Sequence, residues 1–228
     1  MTRVLGVDGC RTGWAGVVWD GGAVHGAFGV RLADLLAEVR AAGPLDAVAL
    51  DMPIGLPDTG VRAADLLARE ALGSRRSSIF LTSTRPALAA ISRAEADALN
   101  RAHGGGGVTA QAFALHAKIA EVDVAVRAAG EPVVEAHPEL SFAALAGRPV
   151  PEPKRSWAGS AVRRALLARA GLDLDVDLGE VGRQAAVDDV VDAAVLAWTA
   201  MRVARGEAVR RPDPPEVFSD GWPAAIWT

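Results

Sequence analysis

Residues 4–20 read VLGVDGCRTGWAGVVWD, and this stretch decides the fold. Val4, Leu5 and Val7 make a short apolar run without helical spacing, which reads as a buried strand from Val4 to Asp8. Gly9 and Gly13 bracket a turn that carries Arg11. Gly13–Asp20 reads as a second strand, and Asp20-Gly21-Gly22 is hairpin-turn chemistry. The apolar run drives the chain inward while Asp8 resists burial, so a strand ending in this carboxylate raises the question of function.

Working outward, Ala23–Val30 fits a third strand. RLADLLAEVRAAG (31–43) places Leu32, Leu35, Leu36 and Val39 at helical spacing, and Gly43 with Pro44 stops the helix. Ala47–Leu50 is a fourth strand with Asp51 at its end. Arg62–Leu72, Arg93–Ala102 and Gln111–Ala129 read as helices, separated by the loops GSRRSSIFLTSTRP (73–86) and HGGGGVT (103–109). Val133–Ala136 is a fifth strand that runs into the acids of EAHPE (135–139). A short helix follows, then a proline-rich loop, GRPVPEPKRS (147–156), and a basic helix over Ala158–Ala170. DDVVDAAVLAWTAMRVARG (188–206) is a long helix closed by Gly206. The tail, RRPDPPEVFSDGWPAAIWT (210–228), reads mostly as loop, with a last short strand at Ala225–Trp227. The expectation is a single domain over 1–228 with a helical insertion at about 58–130.

At 228 residues, 50% hydrophobic and 23% charged, the composition is that of an ordinary globular protein. The net charge of −4 excludes a wholesale electrostatic grip on nucleic acid but not local basic patches. A single cysteine, Cys10, rules out a disulfide framework within the chain and makes a reducing cytoplasm the expected location. Cys10 itself reads as a small buried hydrophobe. No span approaches the roughly 20 apolar residues of a membrane helix, and the N-terminus lacks the pattern of a signal peptide.

In α/β sheets, functional groups gather at the carboxyl ends of strands. Three strands end in acids here: Asp8, Asp51, and Glu135 with Glu139 behind it. The last long helix opens with Asp188, Asp189 and Asp192. Its apolar face runs through Val187, Val191, Ala194, Trp198 and Met201. At about 100° per residue, Asp188 and Asp192 share one flank of that face while Asp189 points further out. Clustered carboxylates repel one another, and a divalent cation removes the penalty. Hard oxygen ligands suit Mg²⁺ or Mn²⁺. Two such ions, roughly 3.5–4 Å apart, would activate a water and stabilise the leaving oxygen of a phosphodiester. Blander roles stand beside this one. A strand-end Asp also forms turns or caps helices, and acids in a first helical turn favour the macrodipole. His137 suits a ligand, a proton shuttle or a hydrogen-bonded core histidine.

The motifs GVDGCRTGW, LDMPIGLP, RRSSIF…TR, QAFALHAKIAEVD, EAHPELSF and DDVVDAAVLAWTA, in that order over about Val4–Gly206, resemble domain-of-unknown-function family 429. That family is described as predicted ribonuclease-H-like nucleases. The resemblance implies a ribonuclease-H-like α/β fold: three antiparallel strands, then parallel strands, flanked by helices, with a helical insertion after the fourth strand. It implies a metal-dependent nuclease. Asp8 matches the superfamily's first-strand aspartate. Asp189 and Asp192 match the paired aspartates of the last catalytic helix in Holliday-junction resolvases. Asp51 stands at the fourth strand, where a second carboxylate is expected, but Glu135 on the next strand competes for that role.

Two basic stretches would serve a nucleic acid or nucleotide substrate: Arg76 with Arg85, and Lys154, Arg155, Arg163 and Arg164. Arg11 and His137 join them as substrate contacts, and Trp157 would stack a base. A second reading is an actin-like nucleotide-binding ATPase or kinase, with GVDGCRTGW as phosphate loop; no second copy of the domain pattern supports it. A third is a non-catalytic interaction module that keeps the fold without metal.

Overall fold

A computed structural model describes residues 2–228. The strands are β1 (Val4–Cys10), β2 (Gly13–Trp19), β3 (Val24–Gly29), β4 (Ala47–Leu50), β5 (Val133–Ala136), β6 (Arg210–Val217) and β7 (Pro223–Trp227). The helices are α1 (Leu32–Ala41), α2 (Ala63–Leu72), α3 (Arg85–Leu88), α4 (Arg93–Ala102), α5 (Ala110–Arg127), α6 (Pro138–Ala146), α7 (Trp157–Arg169), α8 (Val181–Gln184) and α9 (Val187–Ala204). The chain is a mixed α/β protein that divides into two compact units. The first comprises residues 2–52, 125–209 and 227–228; the second comprises 53–124 and 210–226.

In the first unit the strand order is β3-β2-β1-β4-β5. β2 is antiparallel to both β3 and β1, and β4 and β5 run parallel to β1. β2 is buried along its whole length, as expected of a strand covered on both faces. On α1, Leu32, Leu35, Leu36 and Val39 are the buried residues, which is the stripe its spacing predicts.

The other face of the sheet is covered by α9, which packs across β1, β2 and β4. Val190, Val191 and Val195 give this helix no propensity advantage, but they are buried together with Leu196 and Met201. Burial contributes about 1.5–3 kcal/mol per side chain, against propensity differences of under ~1 kcal/mol, so packing decides the conformation. Gly6 permits the approach: a Cβ there would come within 2.0 Å of the Ala193 carbonyl oxygen and 2.1 Å of the Ala197 nitrogen.

The second unit holds α2, α3, α4, most of α5, β6 and most of β7. Its interior is polar in part. Arg62 donates to Asp65 Oδ1 and to the Ile54 carbonyl at 3.0 Å, with both side chains almost fully buried. Ser83 Oγ lies 3.0 Å from His116 Nε2. Burial holds His116 below its usual pKa.

The tail corrects one expectation. RRPDPPEV is not loop but β6, and the last strand begins at Pro223 rather than Ala225. β6 neighbours β7 and lies at an edge, where prolines are tolerated because their missing N–H faces away from the ladder.

Candidate functional site

The site forms in the first unit through strand register. β1 and β4 pair in parallel with Val7 opposite Leu50, and the Asp51 N–H donates to the Val7 carbonyl at 3.1 Å. One residue on, Asp8 and Asp51 are therefore neighbours on the same face. It is the face of Gly6, and α9 packs there. Asp192, immediately before Ala193 on α9, is 1% exposed, and Asp8 is 6% exposed. Glu135 pairs with Leu50, so its side chain emerges on the opposite face from Asp51. Register thus separates the two alternatives for a second carboxylate: Asp51 accompanies Asp8 and Asp192.

The three carboxylates act on one another. Burial, then Asp51 and Asp192, push Asp8 well above the usual carboxylate range. Burial and Asp192 push Asp51 up to about 7 against the pull of Lys154, and Glu135 adds to the rise. Burial raises Asp192 to about 6 against the opposing pull of Lys154.

Lys154 supplies the counter-charge. Its Nζ lies 2.5 Å from Asp192 Oδ2 and 4.0 Å from Asp188 Oδ2. Burial alone would lower its pKa, but Asp192, Asp8 and Asp51 together hold it above the normal lysine value. The loop before α7 fixes the lysine's backbone. Ser156 donates to the Pro153 carbonyl from both its amide (2.9 Å) and its hydroxyl (2.8 Å). Gly159 lets that carbonyl press against α7, since a Cβ there would lie 1.9 Å from it. Ser156 Oγ then caps α7 by accepting from the Gly159 N–H at 2.9 Å.

The remaining acids of α9 have other partners. Asp188 Oδ2 accepts from Arg155 Nε at 2.9 Å. Asp189 Oδ2 accepts from the Ala186 N–H at 3.3 Å, which closes the start of the helix. Burial and the neighbouring Asp188 raise the pKa of Asp189.

Sequence reasoning missed one feature outright. Arg163 is not a surface cation: it is 1% exposed. Nη2 donates to both oxygens of Glu139, at 2.9 and 3.1 Å, and Nη1 donates to the Glu152 carbonyl at 2.9 Å. The guanidinium sits 5.3 Å from the Phe142 ring centroid. An arginine at helical spacing among exposed basic neighbours gives no local sign that it turns inward.

The other candidates scatter. Arg11 is exposed in the β1–β2 turn, and Trp157, the first residue of α7, is 90% exposed. His137 is partly buried at the N-cap of α6. Cys10 is buried and free. Arg76 and Arg85 belong to the second unit; Arg76 is exposed in a 3₁₀ turn. Arg85 donates to Asp220 Oδ2 at 2.7 Å and Asp123 Oδ2 at 3.4 Å.

The ends of two adjacent interior strands and the start of α9 thus gather carboxylates of raised pKa around one ammonium in an α/β protein. The chain belongs to the family described as protein of unknown function (DUF429), whose model matches residues 6–217. No curated protein and no solved structure matches it. No helix among the described residues is long and apolar enough to cross a membrane.

Proposed function

We propose that the chain is a metal-dependent nuclease on a ribonuclease-H-like framework, hydrolysing phosphodiester bonds in a nucleic acid or nucleotide. The observation that carries this reading is the β1–β4 register, which sets Asp8 beside Asp51 on the face where α9 brings Asp192. The strand order, three antiparallel strands followed by parallel ones, supports the framework.

The donor set fits a hard divalent cation in kind. Burial first, and for Asp8 and Asp51 the neighbouring acids next, raise the pKa of the three carboxylates, so ionising them together is costly without a cation. Among the described residues, no three His, Cys, Asp or Glu side chains converge tightly enough to hold an ion as they stand. The Lys154 ammonium lies among them instead. Asp8, Asp51 and Asp192 would hold Mg²⁺ or Mn²⁺, with Asp188 and Asp189 at the rim. The ion, when bound, would supply Lewis acidity toward a phosphate oxygen and a water. Lys154, Arg155 and Arg11 would meet phosphate oxygens, and the exposed Trp157 ring would stack on an unpaired base.

The test is cleavage of labelled RNA and DNA, single-stranded, duplex and branched, by purified protein with Mg²⁺ or Mn²⁺. Cleavage that Asp8→Asn abolishes supports the reading, and inactivity across the panel with both metals refutes it. The Lys154–Asp192 pair favours a second reading, a non-catalytic module whose acids are neutralised internally. That module would show no heat of Mg²⁺ or Mn²⁺ binding.

A further inference from the structure

We propose that Lys154 is an internal stand-in for a divalent cation: it holds Asp192 in the ion-free protein and yields that carboxylate when the ion enters. The inference rests on the carboxylate cluster being a cation site. It goes further in assigning Lys154 the task of setting cation affinity.

The geometry separates a mobile ammonium from an immobile acceptor. Asp192 is 2% exposed at its side chain, whereas Lys154 is 36% exposed. The ammonium therefore reaches the cluster from the solvent side and can withdraw without uncovering the core. Its backbone cannot follow, because the two Ser156 bonds to Pro153 and the Gly159 contact pin the loop. Motion is confined to the four-carbon side chain, the flexible part of a lysine.

The charges give the exchange a direction. Lys154 feels Asp192, Asp8 and Asp51 together, yet brings only a single positive charge and a hydrogen bond to one of them. A divalent ion interacts twice as strongly at equal distance and can take oxygen atoms from several carboxylates at once. The released ammonium stays tethered at the rim of the cluster, beside Arg155, where it would face an anionic substrate. Arg155 Nε on Asp188 Oδ2 repeats the arrangement one step further out, on a side chain that is 83% exposed.

The experiment compares Mn²⁺ and Mg²⁺ binding by calorimetry in the wild-type chain, Lys154→Met and Arg164→Met. Arg164 pairs with Asp175 at 3.8 Å and controls for the loss of one positive charge elsewhere. Expected is at least about tenfold tighter Mn²⁺ binding in Lys154→Met, with a larger Mn²⁺-induced rise in Tm, and wild-type affinity in Arg164→Met. Should Lys154→Met not fold, ¹⁵N spectra of the wild-type lysine ammonium groups during Mg²⁺ titration serve instead. Displacement of Lys154 shifts its resonance. Equal affinity in Lys154→Met and wild type, or an unmoved ammonium resonance at saturating Mg²⁺, overturns the proposal but leaves a metal-dependent nuclease standing. Absence of any binding in all three proteins overturns both. Tighter binding in Lys154→Met without cleavage of any nucleic acid upholds the exchange and refutes only the nuclease.

Discussion

Lys154 Nζ lies 2.5 Å from Asp192 Oδ2, joining a proline-braced loop to the first turns of a buried helix. The same ammonium feels Asp8 and Asp51, so one lysine answers the charge of three acids supplied by two strands and a helix. Full ionisation would set three negative charges against one positive, and the raised pKa of each acid shows that burial and proximity resist it.

Stability should fall as pH rises through the weakly acidic range. In the folded chain Asp51 titrates at about 7 and Asp192 at about 6, while in the unfolded chain both return to the ordinary carboxylate value of 3.8. Between these values the folded state binds more protons, so its advantage is complete below about pH 4 and is lost as pH approaches 7. The slope is limited to about 1.4 kcal/mol per pH unit for each proton. Chemical denaturation from pH 4.5 to 7.5 in metal-free buffer measures it. Asp51→Asn should flatten the profile, and an unchanged slope in that variant would contradict the assignment.

Asp51 and Glu135 should separate in cleavage assays. Register puts Asp51 with Asp8 and puts Glu135 on the other face. Asp51→Asn is expected to lower kcat/KM by more than about 100-fold, because loss of a ligand should exceed the 10–100-fold typical of its supporting groups. Glu135→Gln should stay within about tenfold of wild type, below what loss of a direct ligand would cause. The reverse ranking would move the site to the opposite face of the sheet.

Gly6→Ala should damage the fold rather than the chemistry. The new methyl would overlap the backbone of α9, which cannot step aside without leaving β1. Overpacking against backbone costs about 3 kcal/mol or more, or about 6–12 °C in Tm for a chain of this size. Gly182→Ala, whose Cβ would find its nearest neighbour at 3.6 Å, serves as control and should shift Tm by no more than ~2 °C.

The Arg163–Glu139 pair should behave as a unit. Arg163→Met leaves the Glu139 carboxylate, 10% exposed at its side chain, without the nitrogen that bonds both its oxygens, and is expected to cost about 3–5 kcal/mol. Adding Glu139→Leu should return a large part of that loss. A double-mutant cycle in urea measures the coupling, and additivity within about 0.5 kcal/mol would show that the pair does not act as one.

Read alone, the sequence determined the order of the five strands of the first unit, of the longer helices and of the acids at their ends, but not α3, α8 or β6. The apolar run before Asp8, the helical stripe of α1 and the limits of β4 and β5 are local patterns, and local periodicity reports which face of an element is buried. Clusters of hydroxyl, basic and acidic residues were legible as candidates for the same reason. Tertiary structure alone decided which of them meet. The parallel register of β1, β4 and β5 is set by packing across chain segments far apart in sequence, and it chose Asp51 over Glu135 as the neighbour of Asp8. Lys154 and Asp192 are 38 positions apart, and nothing in PEPKRS distinguishes a lysine bound for a buried acid from one bound for solvent. Arg163 turned inward because Glu139 waited for it beneath α7. An ion pair needs a distance, and distances between remote segments exist only once the chain has packed.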